Sequence, residues 1–137
     1  MQPEQVTLAR GTIHNPNEAR HFMKLKPRNR RVRVYFDGDL IAQTNAALYV
    51  LEVGRDLYDA ALYVPPTSLI ADMSSSETST HCPLKGDASY LDLNDDRGMV
   101  VVPDVAWVYA NPFPFAEGLR GLVSFNTDHV TIEESPL

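Results

Sequence analysis

One cysteine, Cys82, is all the chain has, so no disulfide can close within it, and the small disulfide-stapled secreted scaffolds are excluded. There is no Cys-x-x-Cys pair, and the four histidines (His14, His21, His81 and His129) are scattered, which denies structural zinc its paired ligand spacing. A catalytic zinc on His81, Cys82 and one distant ligand is short of donors along the chain, so no metal and no cofactor is expected. Glycine is sparse and unclustered. The phosphate-cradling Walker and dinucleotide fingerprints are therefore missing, as is the Gly-x-Ser-x-Gly elbow of Ser-His-Asp hydrolases. Asp92-Leu93-Asn94-Asp95-Asp96 opens like a calcium loop but puts Arg97 where glycine belongs and Pro103 where the closing glutamate belongs. No apolar run approaches the roughly 20 residues of a membrane span, and no charged-then-apolar leader opens the chain. Those absences favour a cytoplasmic protein that does not engage a membrane.

What is present is ordinary for a folded domain. The 137 residues suffice for one domain with a real core, and 44% hydrophobic with 22% charged residues is far from the composition of a disordered chain. The net charge of -6 is unevenly spread. Residues 1–33 hold Arg10, Arg20, Lys24, Lys26, Arg28, Arg30, Arg31 and Arg33 against Glu4 and Glu18, while the acids dominate the rest. Such asymmetry can mark a nucleic-acid arm. Phe22 is the one aromatic in that stretch, however, and the acidic remainder repels phosphates, so nucleic acid is disfavoured. The alternative is that these cations lie against acids of the same chain.

Residues 1–29 show no sustained period and are expected to form a basic, loop-rich N-terminal extension, with at most a helical turn near Glu18–Met23. Alternation begins at Arg31, where Val32, Val34 and Phe36 interleave with Arg31, Arg33 and Tyr35, and Asp37-Gly38 supplies the positive φ of a type I′ hairpin into Asp39–Thr44. Ala46–Glu52 is short and apolar, and period alone does not separate strand from helix there. Ala60–Val64 reads as a strand stopped by Pro65-Pro66. The polar tract Ser74–Thr80 reads as a loop or a solvent-facing edge. Ala88–Leu93, Met99–Val102 and Val105–Tyr109 read as strands, Phe115–Leu122 as one short helix, and Val123–Phe125 with His129–Glu133 as a final hairpin. The sum is a single compact antiparallel-sheet domain, mainly β, over residues 30–134.

The densest chemistry lies in Thr80-His81-Cys82-Pro83-Leu84-Lys85-Gly86-Asp87-Ala88-Ser89-Tyr90. A thiol, an imidazole and an ammonium fall around a Pro and a Gly that bend the chain. Neighbours on a strand point to opposite faces, so His81 is poorly placed to serve Cys82 as a base, and Lys85 is the better electrostatic partner. Cys82 and Lys85 are thus the candidate catalytic pair, although a free cysteine more often simply packs. Tyr63, Tyr90 and the pair Trp107 and Tyr109 sit on three separate strands. They are expected either to fill the core or to line a small-molecule pocket together with Thr80, His81 and Gly86.

The pattern Thr-x-Cys-Pro-x-Lys-Gly-x-Ala-x-Tyr resembles the signature of the bacterial and fungal domain-of-unknown-function family numbered 427, which also carries a nucleotidyltransferase label. Arg31-Val32-Arg33-Val34 with Asp37-Gly38, Leu62-Tyr63-Val64-Pro65 and Ala106-Trp107-Val108-Tyr109 follow in the family's order, so the resemblance covers residues 30–134. It implies a β-tent-like domain, similar to the group that includes B-type methionine sulfoxide reductases and the thalidomide-binding domain of cereblon. Many of those relatives hold zinc on two Cys-x-x-Cys pairs; this chain lacks them and would be a metal-free branch. The resemblance carries no established activity. A nucleotidyltransferase also needs a nucleotide cradle and paired carboxylates holding a divalent metal, and neither is recognisable.

The expected function is binding of an unknown small molecule around the Thr80–Gly86 turn. The alternatives are a Cys82-dependent redox or transferase enzyme and a protein-interaction module using an exposed sheet edge. Binding is preferred because no group able to orient a base stands near Cys82 in the sequence. On this reading Lys85→Ala keeps the fold and weakens ligand binding, whereas a collapse in stability would give Lys85 a structural job. Exposed edges leave a homodimer open.

Overall fold

The computed structural model describes residues 9–137. They form eleven strands: β1 (Ile13–Asn15), β2 (Glu18–Arg28), β3 (Arg31–Phe36), β4 (Asp39–Thr44), β5 (Ala47–Val53), β6 (Ala61–Val64), β7 (Met73–Cys82), β8 (Gly86–Asn94), β9 (Val100–Val108), β10 (Val123–Phe125) and β11 (Thr131–Ser135). Every pairing between them is antiparallel. Eight strands make one curled sheet in the order β1-β2-β5-β6-β10-β9-β8-β7, and β11-β3-β4 make a second. The domain is mainly β, with 3-10 turns at Pro66–Ser68 and Pro114–Leu119 as its helical parts among the described residues. No helix among them is long and apolar enough to cross a membrane.

Period-two alternation explains how one curled sheet serves two cores. On β6, Leu62 and Val64 point into a cluster with Val32, Val34 and Ile41 of the smaller sheet. Tyr63, between them, points the other way, into a cluster with Met23, Val50, Leu84, Tyr109 and Leu119. On β9 and the residue after it, Ala106 joins the first cluster while Trp107 and Tyr109 pack in the second. The second face is the one that matters for chemistry.

Several sequence expectations need correction. The stretch expected to be loop up to residue 29 contains β1 and β2, and β2 pairs with β5 from Phe22↔Val53 to Arg28↔Ala47; residues 1–8 of that stretch lie outside the described residues. Met23 and Leu25 do alternate with Lys24 and Lys26, but Pro27 hid the period. It is tolerated because β1 covers β2 only as far as Met23, leaving one side of the strand open there. The one short helix expected over Phe115–Leu122 is present as the 3-10 helix Pro114–Leu119, irregular at Ala116 (φ −109°) and followed by Gly121 at φ 73°. Val123–Phe125 and the last strand are not a hairpin. β10 sits between β6 and β9, while β11 crosses to pair with β3. Met99–Val102 and Val105–Tyr109 merge into β9, which runs through Pro103 by kinking at Asp104 (φ 51°). The Asp104 amide donates to Asp92 Oδ1 at 2.8 Å, which holds that kink.

The Asp37-Gly38 hairpin forms as expected, with both residues at positive φ. The Ser/Thr tract is β7, an edge strand with an irregularity between Ser75 and Ser79. Of the early cations, Arg20 pairs with Glu18, and Arg28 pairs with Glu134 at 3.0 Å while its guanidinium lies 5.6 Å from the Tyr49 ring centre.

Candidate functional site

The site is built around a charge that ought not to be buried. Lys85 lies in the turn between β7 and β8 with its side chain only 7% exposed, and its ammonium donates to Glu52 Oε1. Glu52 is on β5, directly across from Met23 of β2. Its second oxygen, Oε2, is 2.7 Å from His21 Nε2, also on β2. Burial pushes the Glu52 carboxyl up, but the hydrogen bonds from His21 and Lys85 outweigh that push and hold it below the usual carboxylate range. A carboxylate bridging an imidazole and an ammonium, with little water around it, keeps its geometry because each partner would be costly to strand.

The turn that carries Lys85 is fixed at three points. Leu84 is fully buried in the second core. The Lys85 carbonyl accepts from the Phe113 amide at 3.0 Å. Gly86 sits at φ 114°, and a Cβ there would meet the Phe113 nitrogen and the Pro112 Cα at 3.4 Å. Glycine is therefore favoured by its backbone angle, and the 111–113 segment passes at van der Waals distance. Gly86→Ala is expected to cost about 1–3 kcal/mol in chemical denaturation, the usual cost of a strained backbone residue. A stability unchanged from wild type would show that the turn relaxes freely.

Above the Lys85–Glu52 pair is a hollow of about 490 Å³. Tyr63, Tyr90, Trp107, Tyr109 and Tyr58 supply rings to its lining, and Asp59, Asp104 and Asn126 supply polar groups. Trp107 Nε1 donates to Tyr63 Oη at 3.1 Å, and the Tyr90 and Trp107 rings lie tilted with centres 6.4 Å apart. The Lys85 ammonium lies 6.0 Å from the Tyr109 ring centre. Burial raises the Tyr63 and Tyr109 phenols well above their ordinary value, so both are neutral hydrogen-bonding groups at physiological pH. Asp104 stays ionised, because the Ser76 and Thr78 hydroxyls hold its carboxyl low.

The structure sorts the residues singled out from sequence. Lys85, Tyr63, Tyr90, Trp107 and Tyr109 line one hollow. Thr80 reaches it only through Tyr90, hydroxyl to hydroxyl at 3.0 Å. Gly86 shapes the turn and does not line the hollow. His81 requires a correction, since it is exposed, bound to Asp87 Oδ1 at 2.7 Å and set edge-on to Phe113. Strand alternation places it opposite Cys82. Cys82 is half-buried and packs beside the second core. Its sulfur lies within 4.8 Å of donor atoms of both His21 and Glu52.

Sequence reasoning missed His21, Glu52, Tyr58, Asp59, Asp104 and Asn126. Glu52 left a signal, because a carboxylate in the otherwise apolar run Ala47–Val53 calls for a buried partner. His21 left none, since its strand was itself unrecognised.

The domain is mainly β, a curled antiparallel sheet that carries an aromatic hollow over a buried lysine–glutamate pair. The family described as Domain of unknown function (DUF427) matches residues 24–135, and the chain belongs to it. No curated protein matches the chain.

Proposed function

We propose that this domain binds a small ring-bearing molecule in the hollow above Lys85 and Glu52. The observation that carries the reading is the convergence of five aromatic rings on a buried ion pair. Its volume falls within the range of small-molecule sites, which are mostly apolar with a few fixed polar groups. The carboxylates of Asp59 and Asp104 on the lining favour a ligand that brings hydrogen-bond donors or a positive charge. The rings of Trp107 and Tyr90 offer flat faces to an aromatic or cationic group. The sheet-edge alternative is weaker, because the irregularity within β7 and the charge of Glu77 blunt that edge against pairing.

Trp107 is the sole tryptophan, so its fluorescence reports on the hollow directly. A panel of nucleosides, indoles and aromatic amines is expected to contain at least one member that shifts the emission saturably. Asp59 is exposed and bears little on stability, so Asp59→Asn should weaken that binding while leaving the melting temperature within about 1–2 °C of wild type. A silent panel, or a shift that Asp59→Asn leaves untouched, counts against the reading.

A second reading, a Cys82-centred enzyme, is favoured by the closeness of His21 and Glu52, the base and orienting group that the sequence did not reveal. It expects Cys82 to be alkylated faster than a free thiol at neutral pH, and a rate no faster removes it.

A further inference from the structure

We propose that Cys82, His21 and Glu52 form a binding site for a thiophilic divalent cation of the zinc class. One donor atom from each lies within 4.8 Å of the other two, and all three residues are half-buried and hence reachable. They arrive from separate strands, β2, β5 and the end of β7, so the cluster is made by the fold and leaves no spacing motif along the chain.

The distances suit the ion. Zinc bonds of about 2.0–2.3 Å place tetrahedral donors about 3.3–3.6 Å from one another. The His21–Glu52 contact at 2.7 Å must open slightly, and the widest donor separation, at most 4.8 Å, must close by little more than 1 Å. Side-chain rotation supplies both. A thiolate, an imidazole and a carboxylate select the zinc class over magnesium and calcium, which prefer all-oxygen shells. Three protein ligands leave a fourth position for water or a ligand, the pattern of zinc sites that are not merely structural.

The surrounding residues hold the donors in place. Lys85 occupies Glu52 Oε1 and leaves Oε2 to the ion, fixing the carboxylate's orientation from outside. The His21 ring lies against Gly54, where a Cβ would meet its Cδ2 at an ordinary 3.4 Å but come within 3.0 Å of the Tyr58 ring, so the Tyr58 ring would have to give way to a side chain there. Binding converts the Cys82 thiol to a thiolate and releases its proton to solvent. The proton that His21 Nε2 shares with Glu52 moves to Nδ1 by exchange with solvent, so that His21 Nε2 and Glu52 Oε2 each bring a lone pair and no oxidant or reductant enters. The neighbouring Lys85 ammonium weakens the site relative to one without a cation beside it. The cluster shares Glu52 with the lining of the aromatic hollow, but the two ligand sites are tested by different signals.

The test is a titration of the chelator-treated full chain with cobalt(II) as a spectroscopic stand-in for zinc. The expected result is a saturable thiolate-to-cobalt charge-transfer band in the near ultraviolet, erased by one equivalent of zinc(II). Cys82→Ser should abolish the band, and His21→Ala and Glu52→Gln should each weaken binding at least about tenfold. In wild-type protein zinc should also slow labelling of Cys82 by a thiol reagent at least about tenfold, a readout that needs no variant to fold. Absence of the band in wild type, its persistence in Cys82→Ser, or labelling that zinc leaves unchanged overturns the proposal. A silent ligand panel by Trp107 fluorescence leaves each of these outcomes as it stands.

Discussion

Glu52→Ala is expected to lower the melting temperature by about 10 °C, the largest effect of any single change proposed here for the site. It strands the Lys85 ammonium, whose side chain is 7% exposed and whose other neighbour at the site is the face of Tyr109. Removing one partner of a buried pair costs about 3–5 kcal/mol, because the remaining charge has lost both water and its counter-ion. For a chain of this size each kcal/mol is worth about 3 °C. Lys85→Met should cost less, since Glu52 keeps its hydrogen bond to His21. The double variant Glu52→Gln with Lys85→Met should recover part of the loss. Melting curves of the three proteins decide the matter, and a Glu52→Ala variant as stable as wild type would show the pair to be solvated in solution.

The same pair sets a pH dependence. The folded-state value of the Glu52 carboxyl lies below its ordinary one, so its contribution to stability is complete above about pH 4.3, the unfolded value, and disappears as pH falls through the folded value. Glu52→Gln should flatten that part of the acid-unfolding profile. These arguments also revise what the sequence suggested for Lys85. The expectation of an intact fold with weakened binding treated it as an exposed cation, but the structure gives it a place in the interior.

The second large effect is expected at Leu84. Leu84→Ala should cost about 2–5 kcal/mol in urea denaturation, the range for truncating a buried leucine. Leu84 is fully buried among Met23, Val50, Tyr63 and Leu119, yet it belongs to the turn that presents Cys82 and Lys85. Its loss should also loosen that turn locally and quicken labelling of Cys82 under native conditions. A denaturation midpoint within experimental scatter of wild type would mean that the turn is held by Gly86 and the Phe113 amide alone.

How much of this was legible before any coordinates follows from the range of each signal. Short-range signals located β3 and β8 by alternation, β4 by the Asp37-Gly38 turn before it and β6 by the Pro65-Pro66 stop after it, because each needs only a handful of residues. The fold class followed from those strands. β2 was lost because Pro27 and the nearby asparagines broke its rhythm, and with it went His21. The β10 and β11 pairing failed for another reason: adjacency along the chain favours a hairpin, and only packing of the two sheets sends β11 to β3. Residues of the Cys82 turn were legible because bend chemistry is local. Their partner Glu52 is 33 positions from Lys85, a separation no local pattern spans. His81 was misplaced despite the alternation rule that already set it opposite Cys82.

The N-terminal hairpin bears on how the protein can be cut. A fragment trimmed to residues 24–135 would keep the recognisable family segment and still be damaged. It would lose His21, the fully buried Met23 plug, and the backbone partner of Val53. Glu52 would be left with a single ally, and the flank of β5 beside it would lie bare to any sticky strand in solution.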